Sequence, residues 1–211
     1  MTRDLRAREL LADGVVHGLG LALGGAGALT LVVLAIADGN ATVPLAVYAA
    51  GLLGMLGCSA AYNLLRASPR RYWLRRFDHA AIFAMIGGSY TPFTILGLDG
   101  AWSVVLTLLV WSMAAVGIAL KLWRPHRVET ISVVLYLGLG WIGIVALDPL
   151  LSALHASTIV LLAAGGVLYS AGVVFHLWRA LPYHNAIWHG FVLTAAMIHY
   201  VAVLTVVPAL A

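Results

Sequence analysis

Residues 66–78 read RASPRRYWLRRFD: five arginines set between two long stretches without charge, 39–65 before them and 79–98 after. An uncharged apolar stretch of some 20 residues can cross a hydrocarbon core of roughly 30 Å as a helix. Five further stretches share that character, at 14–37, 100–120, 130–147, 149–178 and 180–211. The gaps between them alternate in charge. Arg3, Arg6 and Arg8 precede the first stretch, Lys121, Arg124 and Arg127 follow the fourth, and Arg179 follows the sixth. The intervening gaps carry only Asp38, Asp99 and Asp148. Basic residues in alternate short loops mark the cytoplasmic side. The pattern predicts an all-α bundle of seven transmembrane helices, N-terminus in the cytosol and C-terminus outside.

Composition agrees. Of 211 residues, 63% are hydrophobic and only 9% charged, against about 25% charged in a soluble domain. The net charge of +4 lies in juxtamembrane loops, where it orients helices and meets anionic lipid; nucleic acid is excluded as a partner. Cys58 is the single cysteine, so no intrachain disulfide forms. The expected helices are about 15–37, 43–65, 79–97, 102–123, 130–147, 154–178 and 186–208, in one membrane domain spanning 1–211. The stretch before Gly14 reads as a retained cytoplasmic end forming a short amphipathic helix on the membrane surface. Pro44 suits a first helical turn. Pro69, Pro125, Pro149 and Pro182 fall in predicted loops, and Pro92 is expected to kink or end helix 3. Asp38-Gly39-Asn40 and Asp99-Gly100 are turn formers. Gly20, Gly24, Gly51, Gly54 and Gly57 suit close helix packing.

Ionisable groups inside a bilayer are costly and face the bundle interior, which makes them the informative residues. The predicted topology brings them to one depth. His17 lies near the cytoplasmic start of helix 1. Ser59 and Asn63, four apart on one face of helix 2, lie near its cytoplasmic end. Asp78 and His79 begin helix 3, and Asn185 and His189, again four apart, begin helix 7. The layer is the inner leaflet. For His189 with Asp78 two readings stand: a metal or proton-transfer site, or a charge-assisted hydrogen bond tying two helices. His199 lies too deep for this layer and reads as a buried hydrogen-bonding histidine.

The segments DGVVHGLG (13–20), CSAAYN (58–63), RRFDHAAIFAMIGGSYTPF (75–93), LGLGWIG (137–143), AAGGVLYSAGVVFH (163–176) and NAIWHGFVLTAAMIHY (185–200), in this order, resemble the hemolysin III family. That family is the bacterial branch of the progestin and adipoQ receptor group, akin to alkaline ceramidases. The resemblance implies a multi-pass protein of the bacterial inner membrane with zinc near the cytoplasmic leaflet. It further implies a histidine ending an SxxYH motif on helix 2 and an HxxxH pair on helix 7 as ligands. It places an Asp of helix 3 and the Ser of helix 2 in the same cavity. Membrane lipid is the implied partner, through hydrolysis of a lipid amide bond, lipid homeostasis or sensing. The alternatives are a pore-forming cytolysin and a non-catalytic receptor. Asp78, Ser59 and His189 match the pattern and are the candidate catalytic residues, with His189 and Asp78 the candidate metal ligands. Asn63, Asn185, His17 and His79 are the candidate pocket lining. The sequence departs where Asn63 and Asn185 replace expected histidines. An amide oxygen is a poor zinc ligand, so the substitutions point to a weakened or absent zinc site and hydrolase.

Overall fold

The computed structural model describes residues 3–37, 39–123 and 129–207. Expectations for Asp38, Arg124, Pro125, Arg127 and Pro208 lie outside the described residues. Those described contain helices and turns and no strand. In hydrocarbon every backbone polar group needs an internal partner, and a helix supplies them all within one segment. The helices are α1 (Arg3–Ala37), α2 (Thr42–Leu64), α3 (Arg71–Leu96), α4 (Gly100–Trp123), α5 (Glu129–Gly140), α6 (Leu147–Ala153), α7 (Ala156–Leu177) and α8 (His184–Leu204). Among the described residues, 6 helical segments are long and apolar enough to cross a membrane. α3 is not among them: Arg71, Arg75, Arg76 and Asp78 occupy its first third, and His79, Ser89, Tyr90, Thr91, Pro92 and Thr94 lower the hydropathy of the charge-free remainder.

α1 packs on α2, α2 on α3, α3 on α4 and α7 on α8, α8 closes back on α1, and α5 and α6 touch their neighbours lightly. Large apolar side chains cover the outside, including Ile36, Leu108, Val134 and Val160. An apolar patch of that extent does not persist in water; it suits acyl chains.

Three elements differ from expectation. α1 begins at Arg3, so the N-terminal stretch is a continuous extension of the first helix and not a separate surface helix. α3 begins at Arg71 and not at 79, which puts Asp78 and His79 about two turns inside it. The expected fifth helix is broken. α5 stops at Gly140, a 3₁₀ turn covers Ile142–Ala146, and α6 follows. Asp148 and Pro149 lie in α6, where a loop was expected. Pro149 sits in the first turn, where a missing N–H costs little. The break is bridged by Tyr90 of α3, whose hydroxyl donates to the Gly140 carbonyl (2.7 Å) and accepts from the Gly143 N–H (3.0 Å). Backbone groups freed inside a membrane protein need such partners.

Pro92 stays inside α3, which continues to Leu96. Nearby, Ser89 donates to the Ile86 carbonyl and Thr91 to that of Gly87, both at 2.8 Å. The Trp111 indole of α4 donates to Thr91 Oγ1 at 3.0 Å. Thr91→Val removes that acceptor while keeping the shape. Interhelical hydrogen bonds in membranes contribute about 0.6 kcal/mol on average and about 1.7 at most. Thr91 is 3% exposed, so the loss should lie towards the upper figure, read from unfolding in mixed detergent micelles.

Backbones approach most closely where α2 crosses α3. A Cβ on Gly88 would lie 3.2 Å from the Val47 carbonyl oxygen, and one on Gly51 3.3 Å from Met85 Cα. Gly20 and Gly24 receive Leu56 in the same way, whereas Gly54 and Gly57 face open space.

Candidate functional site

The loops at the arginine-bearing end fix the site. α2 ends at Leu64 and the chain turns through Ser68, whose carbonyl accepts from the Arg71 N–H at 3.1 Å. The Arg71 guanidinium then donates to the Tyr62 carbonyl (3.0 Å) and lies over the Tyr62 ring (4.4 Å). This clamp sets the start of α3 against the end of α2 and brings Asp78 beside Ser59. Asp78 has the Ser59 hydroxyl as its hydrogen-bonding neighbour, with His189 and Arg75 as opposite charges around it. Tyr136 of α5 donates to the His79 carbonyl at 2.9 Å. Asn63 turns its amide back on its own helix, donating to the Ser59 carbonyl (3.0 Å) and, at longer range, to Ser59 Oγ (3.4 Å).

α1 and α8 supply the other half. Asp13 and His17 are four apart and share a face of α1. His17 Nδ1 lies 2.8 Å from the Asp13 carbonyl oxygen. Only an N–H can face a carbonyl, so Nδ1 carries a proton, and Nε2 lies 3.3 Å from Ser59 Oγ, a hydroxyl that can donate or accept. His189 Nδ1 lies 2.6 Å from Asp13 Oδ1, the length of a charge-assisted bond. The two imidazoles meet edge to face at 4.4 Å. Asp13 and His17 are buried, and His189 is nearly so.

These groups open into one cavity of about 660 Å³. His17, Ser59, Asn63, Asp78, His79, Asn185 and His189 all line it, so the polar residues read from four separate helices share one wall. Arg66, Arg71, Arg75 and Arg179 stand at the same end, while Phe93, Leu106, Leu150 and Leu162 line the far part. His199 also borders it, at 3.2 Å from the Leu162 carbonyl, to which its Nε2–H donates. Asp13, absent from the sequence expectations, is the hub of the cluster. Its signal was present: an acid four residues before His17 in the segment 13–20.

The family's zinc ligands do not fit this chain. Asn63 spends its amide on Ser59 within α2, and neither it nor Asn185 offers an imidazole. The arrangement that does converge joins Asp13, His17 and His189, whose candidate ligand atoms all lie within 4.8 Å of one another. Asp78 shares the cavity wall but stands outside that group of three.

Residues 7–200 match the family described as Haemolysin-III related. The chain belongs to the haemolysin III family. This haemolysin III protein is 34% identical to the Hemolysin-3 homolog of Bacillus subtilis, over 90% of this chain and 91% of that one. It is 33% identical to Hemolysin-3 of Bacillus cereus, over 97% and 94% of the two chains. It is 30% identical to the heptahelical transmembrane protein ADIPOR2 of Oryza sativa subsp. japonica, over 76% of this chain and 80% of that one. Family and apolar helices together make it a multi-pass membrane protein.

Proposed function

We propose that this haemolysin III protein is a seven-span protein of the bacterial inner membrane that takes a membrane lipid into its cavity from the cytosolic leaflet. It serves lipid homeostasis or sensing. One observation carries the reading. The cavity of about 660 Å³ is polar and arginine-bearing at one end and lined mainly by apolar side chains beyond, with Ser89, Tyr90 and Thr94 among them, the profile of a lipid with its headgroup outward. A volume of roughly 300–1,000 Å³ is that of a small-molecule site. The alternation of arginine and aspartate loops supports a cytosolic position for the arginine end, and the name of the rice relative, a heptahelical transmembrane protein, supports a seventh crossing by α3.

A second reading, hydrolysis of an amide-linked lipid, is favoured by the contact between Asp13 and His189. A carboxylate that fixes one imidazole nitrogen leaves the other positioned to take a proton from water. In that reading His189 activates the water, and Ser59 and Asp78 hydrogen-bond the amide or the attacking oxygen. Pore formation is disfavoured, because a pore needs a continuous polar path through both leaflets and the far part of this cavity is mainly apolar.

Lipid extraction of protein purified in a mild detergent tests both readings. One lipid class enriched at about one per chain is expected, and bulk membrane composition alone would remove the proposal. Fatty acid released from an added ceramide, and lost in His189→Ala with the lipid still bound, would establish hydrolysis. Binding without release leaves sensing.

A further inference from the structure

We infer that Asp13 and His17 on α1, with His189 on α8, bind a divalent transition-metal cation of zinc type, at a site displaced from α2 towards α1. The inference does not depend on which lipid, if any, fills the cavity.

The donor set is the first argument. Two imidazoles and one carboxylate are three protein ligands of the kinds zinc takes, leaving a fourth position for water. The donors converge, with candidate atoms all within 4.8 Å of one another. Ligand bonds of about 2.0–2.1 Å in a tetrahedron require donors roughly 3.3 Å apart, a contraction that side-chain torsions absorb.

The second argument is an orphaned atom. Asp13 Oδ2 is buried and has no hydrogen-bond partner, on a side chain only 3% exposed. An unsatisfied buried carboxylate oxygen is costly, and a cation between α1 and α8 supplies what it lacks.

The third is orientation. His17 Nδ1 lies 2.8 Å from the Asp13 carbonyl and 3.7 Å from Asp13 Oδ1, and Nε2 lies 3.3 Å from Ser59 Oγ, so whichever nitrogen meets the ion, the other keeps a protein partner. Metal-binding histidines are held in this way by a second partner. His189 Nδ1 and Asp13 Oδ1, 2.6 Å apart, share a proton that a cation would replace, the proton moving to Nε2 or to solvent.

An entry path exists as well. A second, smaller cavity of about 100 Å³ reaches Asp13 from the arginine end. Glu9 lines it and accepts from the Tyr183 N–H at 2.7 Å. Arg6 and Arg66 also face it and oppose a cation's approach, against the two carboxylates.

Chelator-stripped protein in detergent, titrated with Co²⁺ and with Zn²⁺, tests the site. One ion per chain is expected, with the visible absorption of four-coordinate cobalt. Affinity should fall about 100-fold or more in His17→Ala and in Asp13→Asn, since loss even of an outer partner costs 10–100-fold. The double variant Asn63→Ala/Asn185→Ala should bind as before. Because His17→Ala could misfold, His17→Cys in a Cys58→Ala background gives an independent readout: a thiolate-to-cobalt charge-transfer band. No metal in the unmodified protein overturns the inference. So does a missing thiolate band, or binding that survives His17→Ala and is lost with Asn63 and Asn185.

Discussion

His189→Leu is expected to destabilise the protein by about 3–5 kcal/mol, the cost of leaving a buried carboxylate without its partner. Asp13 makes the figure large. Its side chain is 3% exposed, His189 provides its 2.6 Å contact, and its second oxygen already lacks a partner. Removing the imidazole leaves a buried carboxylate whose nearest remaining partner is His17 Nδ1 at 3.7 Å, beyond hydrogen-bond reach. Asp13→Leu is milder, because the freed His189 can turn its N–H towards the cavity it lines. His17 keeps its own bond, which goes to the Asp13 backbone carbonyl and not to the side chain.

Paired replacement should be gentler still. Asp13→Leu/His189→Leu exchanges a buried ion pair for apolar contact, a change that is often neutral or stabilising. Unfolding of the four proteins of this double-mutant cycle, followed in mixed micelles with chelator present, measures the coupling. Single-variant losses that simply add would show that the two side chains do not act as a pair.

Much of the fold was legible because a bilayer allows few solutions. Contiguous apolar runs must be helices, and arginines sort to one side. The seven site residues read from the sequence share one cavity for the same reason: their positions along each run fixed a depth. What was not legible follows from physics that a hydropathy argument omits. α3 starts at Arg71 because a helix end outside the apolar layer needs no apolar residues, and its arginines stack on Tyr62, Tyr72 and Trp73. The fifth crossing reads as one helix followed by a loop, since nothing local reveals that Tyr90, some fifty residues earlier, satisfies the broken turn. Asp13 sits among alternating charges that look like a solvated end. Only α8 packed across it, with His189 aimed at its carboxylate, makes it interior.

Gly117→Val should show how tightly the cavity wall is set. A Cβ at Gly117 would fall 2.4–2.5 Å from three atoms of the Phe83 ring, and Phe83 is only 2% exposed. Behind it stands Tyr136, ring centroids 4.5 Å apart, whose hydroxyl holds the His79 carbonyl and whose side chain lines the cavity. Overpacking of this kind costs about 1–3 kcal/mol. The strain has one soft direction, through Tyr136 into the cavity, so lipid recovered per chain should fall together with stability. Phe83→Ala alone leaves a void costing about 3–5 kcal/mol. In Gly117→Val/Phe83→Ala the valine occupies part of that void, and the combined loss should be smaller than the sum. Melting curves and lipid content of the single and double variants decide it. Additive losses would mean that Phe83 can move elsewhere, and unchanged lipid content would mean that Tyr136 does not transmit the displacement to the cavity.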